Sequence, residues 1–184
     1  LQTNKAKHVV RYADCVQSVD RAKLVGALDR AVAGRIADSV GAPDGQQQNH
    51  YENAGSTSKT TMKIGGGETG GLDVLLQVDL GEGEDAGRGG VLPADLVALA
   101  DRVSESEHLR LRGLMAVAPF GLDEAGTAAA FERLAGLAAG VREAHPGATI
   151  LSAGMSGDLE LAVAAGATHL RVGTAILGER PDPR

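Results

Sequence analysis

Apolar positions along this chain follow two alternating rhythms. Short, nearly continuous runs occur at "DCVQSVD" (14–20), "LDVLLQVDL" (72–80), "LRLRGLMAVA" (109–118), "ATILSA" (148–153) and "THLRVG" (168–173). Runs of this length and density predict strands covered on both faces. The segments between them carry the helical period instead. Leu24, Leu28, Ala31 and Val32 share one face of 21–40, with Lys and Arg between them, and Leu96, Leu99, Ala100 and Val103 share one face after Pro93. Pro93 suits a first helical turn. Shorter or more Ala-rich helices are predicted over 3–11, with Thr3 or Asn4 as cap, and over 124–145 and 157–166.

Strand–helix alternation predicts a parallel sheet wrapped by helices, in an α/β class that is either an open doubly wound sheet or a barrel. Both place ligands at the carboxyl ends of their strands. Five strands in 184 residues fall short of a closed eight-stranded barrel, which takes about 250 residues. One stretch breaks the rhythm: residues 41–71 are Gly, Gln, Asn, Ser and Thr with almost no large apolar side chain, and read as a flexible surface insertion in one domain spanning 1–184. Its "KIGGGETGG" lacks the GxxxxGK[ST] spacing of a nucleotide loop.

Composition narrows the function classes. The net charge is −6 and the basic residues form no dense stripe along the sequence, so sequence-independent nucleic-acid binding is not expected. Aromatic residues make up only 2%, which leaves the core to Ala, Val and Leu. No apolar run approaches the roughly 18 residues of a membrane span. Cys15 is the only cysteine, which excludes an intrachain disulfide and fits a reducing cytoplasm, with the thiol packed in the core. Neither HExxH, paired CxxC nor GxSxG occurs, so neither a metal site nor serine-hydrolase chemistry is expected.

Candidate chemistry gathers near the C-terminus, in "LSAGMSGDLELAVAAGATHLRVGT" (151–174), where two apolar runs each stop at a small, hydroxyl-bearing turn. Ser156 follows a strand and precedes a helix, where free N–H groups favour an anion; it either caps that helix or holds a ligand. Gly154 and Gly157 allow close backbone approach. Period-two alternation sets His169, Arg171 and Gly173 on one face and Leu170 and Val172 on the other, turning Arg171 inward. A buried arginine pairs with a carboxylate or serves a ligand. Gly173 and Thr174 add donors at the last strand end, while Met115 reads as core filling.

The same stretch, continued to "AILG", resembles the C-terminal signature of the YggS/PROSC family of pyridoxal phosphate homeostasis proteins. "LQTNKAK" (1–7), "SVDRAKL" (18–24) and "RGLMAVAP" (112–119) resemble further blocks in the same order. The resemblance implies a (β/α)8 TIM-barrel-like domain, similar to that of alanine racemase, which binds pyridoxal 5′-phosphate (PLP) without established turnover. Carried over, Ser156, Gly173 and Thr174 would hold the phosphate beside Gly154 and Met155, and Arg171 would face the pyridine nitrogen. An arginine there weakens the ring as an electron sink, which suits a carrier.

Two departures accompany the match. The family's Schiff-base lysine lies on its first strand in a segment like "AVSK", and a block like "GENY" follows the next strand; neither occurs in this sequence. None of Lys5, Lys7, Lys23, Lys59 and Lys63 matches that lysine, so the five strands correspond to the fourth to eighth of the barrel and the first three are expected to be missing. Family members are monomers by this resemblance, but open barrel edges invite pairing with a second chain. The alternatives are a PLP-dependent racemase, which needs a tyrosine at the mouth where only Tyr12 and Tyr51 are available, a remnant that no longer binds, and another phosphate-binding barrel enzyme.

Overall fold

The computed structural model describes residues 1–40, 71–81 and 89–178. The proposed insertion at 41–71 therefore lies outside the described residues, apart from Gly71. Four strands, β1 (Cys15–Val19), β2 (Leu72–Gln77), β3 (Leu109–Met115) and β4 (Ile150–Ser152), form one sheet in the order β1-β2-β3-β4. All three pairings are parallel. The helices are α1 (Ala6–Val9), α2 (Ala22–Val40), α3 (Leu96–Ser104), α4 (Glu124–Ala144), α5 (Leu159–Ala164) and α6 (Thr174–Leu177).

Sequence and element agree best where the apolar period is strong. Leu24, Leu28 and Val32 of α2 are fully buried, as are Ala100 and Val103 of α3. These side chains pack on Val16, Val74, Leu76, Leu114 and Leu151, the helix-facing positions of the sheet. The first helix is shorter than its pattern suggests: a 3-10 turn (Thr3–Lys5) precedes α1, and Gln2 stands at the cap without a side-chain hydrogen bond. At α4 the cap is made, as Asp123 Oδ1 accepts from the Gly126 N–H at 2.8 Å.

The fifth predicted strand, 168–173, is reduced to a single bridge between Ser152 and His169. Its side chains explain the loss. The Leu151 N–H donates to Thr168 Oγ1 at 2.9 Å, so a hydroxyl takes the donor that a regular ladder would pair with a carbonyl. Four backbone bonds still run alongside: Leu151 O accepts from the N–H groups of Thr168 and His169, Ala153 N–H donates to His169 O, and Arg171 N–H donates to Gly154 O. The segment thus keeps its place beside β4 without strand geometry.

The inner face decides between barrel and doubly wound sheet. Leu75, Met115 and Ile150 form a small apolar cluster there with half-buried Cys15 against it. Beyond them Ser152 Oγ on β4 donates to Gln17 Oε1 on β1 at 2.8 Å. These strands are three spacings apart, about 14 Å in a flat sheet, which is beyond the reach of a serine and a glutamine. The sheet therefore curls into an arc, four strands of a partial barrel.

Candidate functional site

Parallel strands bring their carboxyl ends to one rim, and most of the residues singled out by sequence lie there. The Arg171 N–H bond to Gly154 O, 2.9 Å, ties the two predicted turns at their base. From that point Met155 and Ser156 lead into α5, while Gly173 and Thr174 lead into α6. Gly154 is buried at φ +88°, and a Cβ there would lie 2.7 Å from Ala162 Cβ and 3.0 Å from Leu170 Cδ2, so glycine is required. Met155 is 39% exposed and Ser156 half-buried within the turn. The Gly173 carbonyl accepts from the N–H groups of Ile176 and Leu177, opening α6 with Thr174 as its first residue.

Arg171 turns inward, as the alternation requires, is half-buried, and forms no ion pair among the described residues. Its Nη1 donates to Ser152 Oγ at 2.9 Å and its Nη2 to Ala116 O at 2.8 Å. Ser152 is wholly buried, and its hydroxyl hydrogen is the one that reaches Gln17. A relay of side chains thus runs from β1 through β4 to Arg171. Burial lowers the guanidinium pKa, and the Asp158 carboxylate acts in the opposite direction. Two of the five N–H donors are engaged by neutral oxygens, which leaves a desolvated cation with donor capacity in hand.

Ser152, Gln17, Ala116 and Asp158 carry no mark in the sequence that sets them apart. Asp158 stands at the start of α5 without a side-chain bond into the helix; its Oδ1 instead accepts from the Met155 N–H at 2.6 Å. That bond shapes the turn and occupies one of the donors that a ligand at Ser156 would otherwise find. A cavity of about 310 Å³ opens nearby at the ends of β2 and β3, lined by Gln77, Asp79, Gly89, Val117 and Phe120 among others. None of the predicted phosphate residues lines it. Phe120, one of only two phenylalanines, is 87% exposed at its edge.

At the opposite end of the inner face Asp73, 1% exposed, holds Arg110 Nε at 2.6 Å and lies 3.6 Å from Arg112 Nε. This pairing is structural and faces away from the carboxyl ends. Cys15 sits next to it, and burial followed by the Asp73 carboxylate pushes its thiol up to about 11, with Arg112 pulling the other way. Tyr12 is 76% exposed after α1, and Tyr51 lies outside the described residues. Among the described residues no group of three or more His, Cys, Asp or Glu could hold a metal ion, and no helix is long and apolar enough to cross a membrane.

Residues 49–181 match the family described as the alanine racemase N-terminal domain. Over 181 residues the chain is 34% identical to the pyridoxal phosphate homeostasis protein of Corynebacterium glutamicum, covering 98% of this chain and 68% of the relative. The chain belongs to the pyridoxal phosphate homeostasis protein family. The family member of Mycobacterium tuberculosis is 39% identical over 181 residues, and there the chain spans 98% of itself but only 58% of the relative. Among solved structures, PipY of Synechococcus elongatus with PLP bound matches at 34% identity with a TM-score of 0.70, over 97% of this chain and 67% of PipY.

Proposed function

We propose that this chain binds PLP at the turns that follow β4 and the adjoining segment 168–173, and acts in PLP homeostasis without turning over a substrate. The observation that carries this reading is Arg171, a desolvated guanidinium anchored by neutral oxygens at the base of two hydroxyl-bearing turns. Membership of a family whose curated members are named for PLP homeostasis, and the PLP bound in PipY, support it.

The available donors fit a phosphorylated pyridine. In this reading Ser156, Gly173 and Thr174 hold the phosphate, Gly154 and Met155 shape the turn beside it, and the remaining Arg171 donors meet the ring nitrogen. Bound PLP supplies an aldehyde and an aromatic ring that withdraws electrons best when its nitrogen is protonated. A guanidinium only donates to that nitrogen and keeps it unprotonated, which a carrier tolerates better than a versatile catalyst. The lone cysteine and the low charge density belong to the same reading, a protein of a reducing cytoplasm whose ligand is a small molecule.

The test is a PLP titration followed by absorbance on the wild type and on two variants. Losing two hydroxyl donors to a charged phosphate in the Ser156→Ala/Thr174→Ala double variant costs about 2–3 kcal/mol, a weakening of roughly thirtyfold or more. Arg171→Ala shifts the PLP absorption band by changing the ring environment. Equal affinity in the double variant refutes the phosphate assignment.

A further inference from the structure

The acidic balance of the whole chain hides a local reversal. Where α1 packs on α2, a groove of about 380 Å³ is lined by Lys7, Arg11, Arg30 and Arg35, with Asp38 as the single acid. Four cations against one carboxylate leave three net positive charges on a chain whose total is −6. Arg35 is braced, its Nη1 donating to Val10 O at 2.7 Å. Among the described residues Lys7, Arg11, Arg30 and Asp38 form no ion pair. Lys7, Arg11 and Arg30, gathered without ion-pair partners, repel one another and gain when an anion enters.

The floor of the groove is kept bare. Gly34 lies inside the 19-residue α2, and a Cβ there would meet nothing within 4 Å. Its φ lies outside the left-handed region, so neither packing nor backbone conformation calls for glycine at a position where it costs about 1 kcal/mol relative to alanine. Its effect is to leave room between two cationic walls.

We propose that this groove binds a small molecule carrying a pyrophosphate group, at a site that shares no residue with the strand-end rim. The volume lies in the range of ligand pockets, about 300–1,000 Å³. Guanidinium forks match phosphate oxygens in pairs; Lys7 stands on α1, Arg11 in the turn after it, and Arg30 and Arg35 on α2. Two linked phosphates engage both walls at once, where a single phosphate is neutralised by one. No aromatic side chain lines the groove, so the charged group rather than a stacked ring carries recognition.

Isothermal titration of the full 184-residue chain with inorganic pyrophosphate, ADP and citrate at low ionic strength tests the proposal. Pyrophosphate and ADP are expected to bind, citrate at least tenfold more weakly, and added PLP leaves pyrophosphate binding unchanged. Tighter ADP binding identifies a nucleotide as the source of the group, and equal binding identifies pyrophosphate itself. Arg11→Glu/Arg30→Glu weakens both by at least tenfold, and Gly34→Glu, whose side chain enters open space, does the same and stands in for the double variant if that protein loses its cooperative melting. PLP affinity is unchanged in either. Absence of heat at millimolar pyrophosphate, unchanged affinity in Gly34→Glu, citrate binding as tightly, or displacement by PLP overturns the proposal.

Discussion

Replacing Gly113 with alanine separates β4 from the sheet. Gly113 lies in β3 at φ +149°, where the register with β2 slips between Val74 and Leu75, and it pairs with Ile150. An added Cβ would overlap the Ile150 carbonyl oxygen and lie 2.7 Å from its carbon and 2.8 Å from its nitrogen. Every one of these atoms is backbone, so no side chain can swing away. Holding a non-glycine residue at that φ costs about 1–3 kcal/mol. Pushing the strands apart costs a similar 1–3 kcal/mol, for a total of roughly 2–6 kcal/mol. A chain of this size loses about 2–4 °C of Tm per kcal/mol, so the expected fall is roughly 4–24 °C. The β3–β4 ladder has only three pairs, the last joining Met115 to Ser152. The variant therefore also displaces the hydroxyl that anchors Arg171, and PLP affinity falls with stability. Thermal and urea unfolding followed by circular dichroism measure the first effect, with Gly136→Ala as control. Gly136 lies mid-helix with nothing within 4 Å of its Cβ position, and alanine there gains up to about 1 kcal/mol. A Gly113→Ala protein within 1 kcal/mol of wild type refutes the close approach.

Two further outcomes follow from the inner face. Ser152→Ala removes one anchor of Arg171 and leaves the buried end of Gln17 without its donor; PLP affinity is expected to fall about tenfold, near 1.4 kcal/mol, and an unchanged titration refutes the relay. The Cys15 thiol, at about 11 against an ordinary 9.0, should alkylate with iodoacetamide at pH 8 roughly a hundredfold more slowly than an ordinary thiol, and reaction at the free-thiol rate contradicts its burial. Its linkage has a definite sign. Between pH 9 and 11 the folded chain keeps a proton that the unfolded chain releases, so this group's contribution to stability declines as pH rises through that window.

Much of the rim was legible from local pattern. The strand–helix alternation, the inward face of Arg171 and the glycine at 154 all follow from side-chain period and backbone freedom, which neighbouring residues set. The fifth strand was misjudged for an equally local reason. Its apolar spacing is that of a strand, but the Thr168 hydroxyl takes the Leu151 N–H that a ladder needs.

The sequence by itself determined which faces are apolar, where chains turn, and that the candidate site residues stand at strand ends, because period and turn chemistry act over a few residues. Only the tertiary structure decided who meets whom. Ser152 reaches Gln17 across 135 positions because the sheet curls, and the cations of residues 7, 11, 30 and 35, scattered in sequence, line one groove because α1 packs on α2. Curvature and helix packing are sums over the whole core, and no single segment carries them.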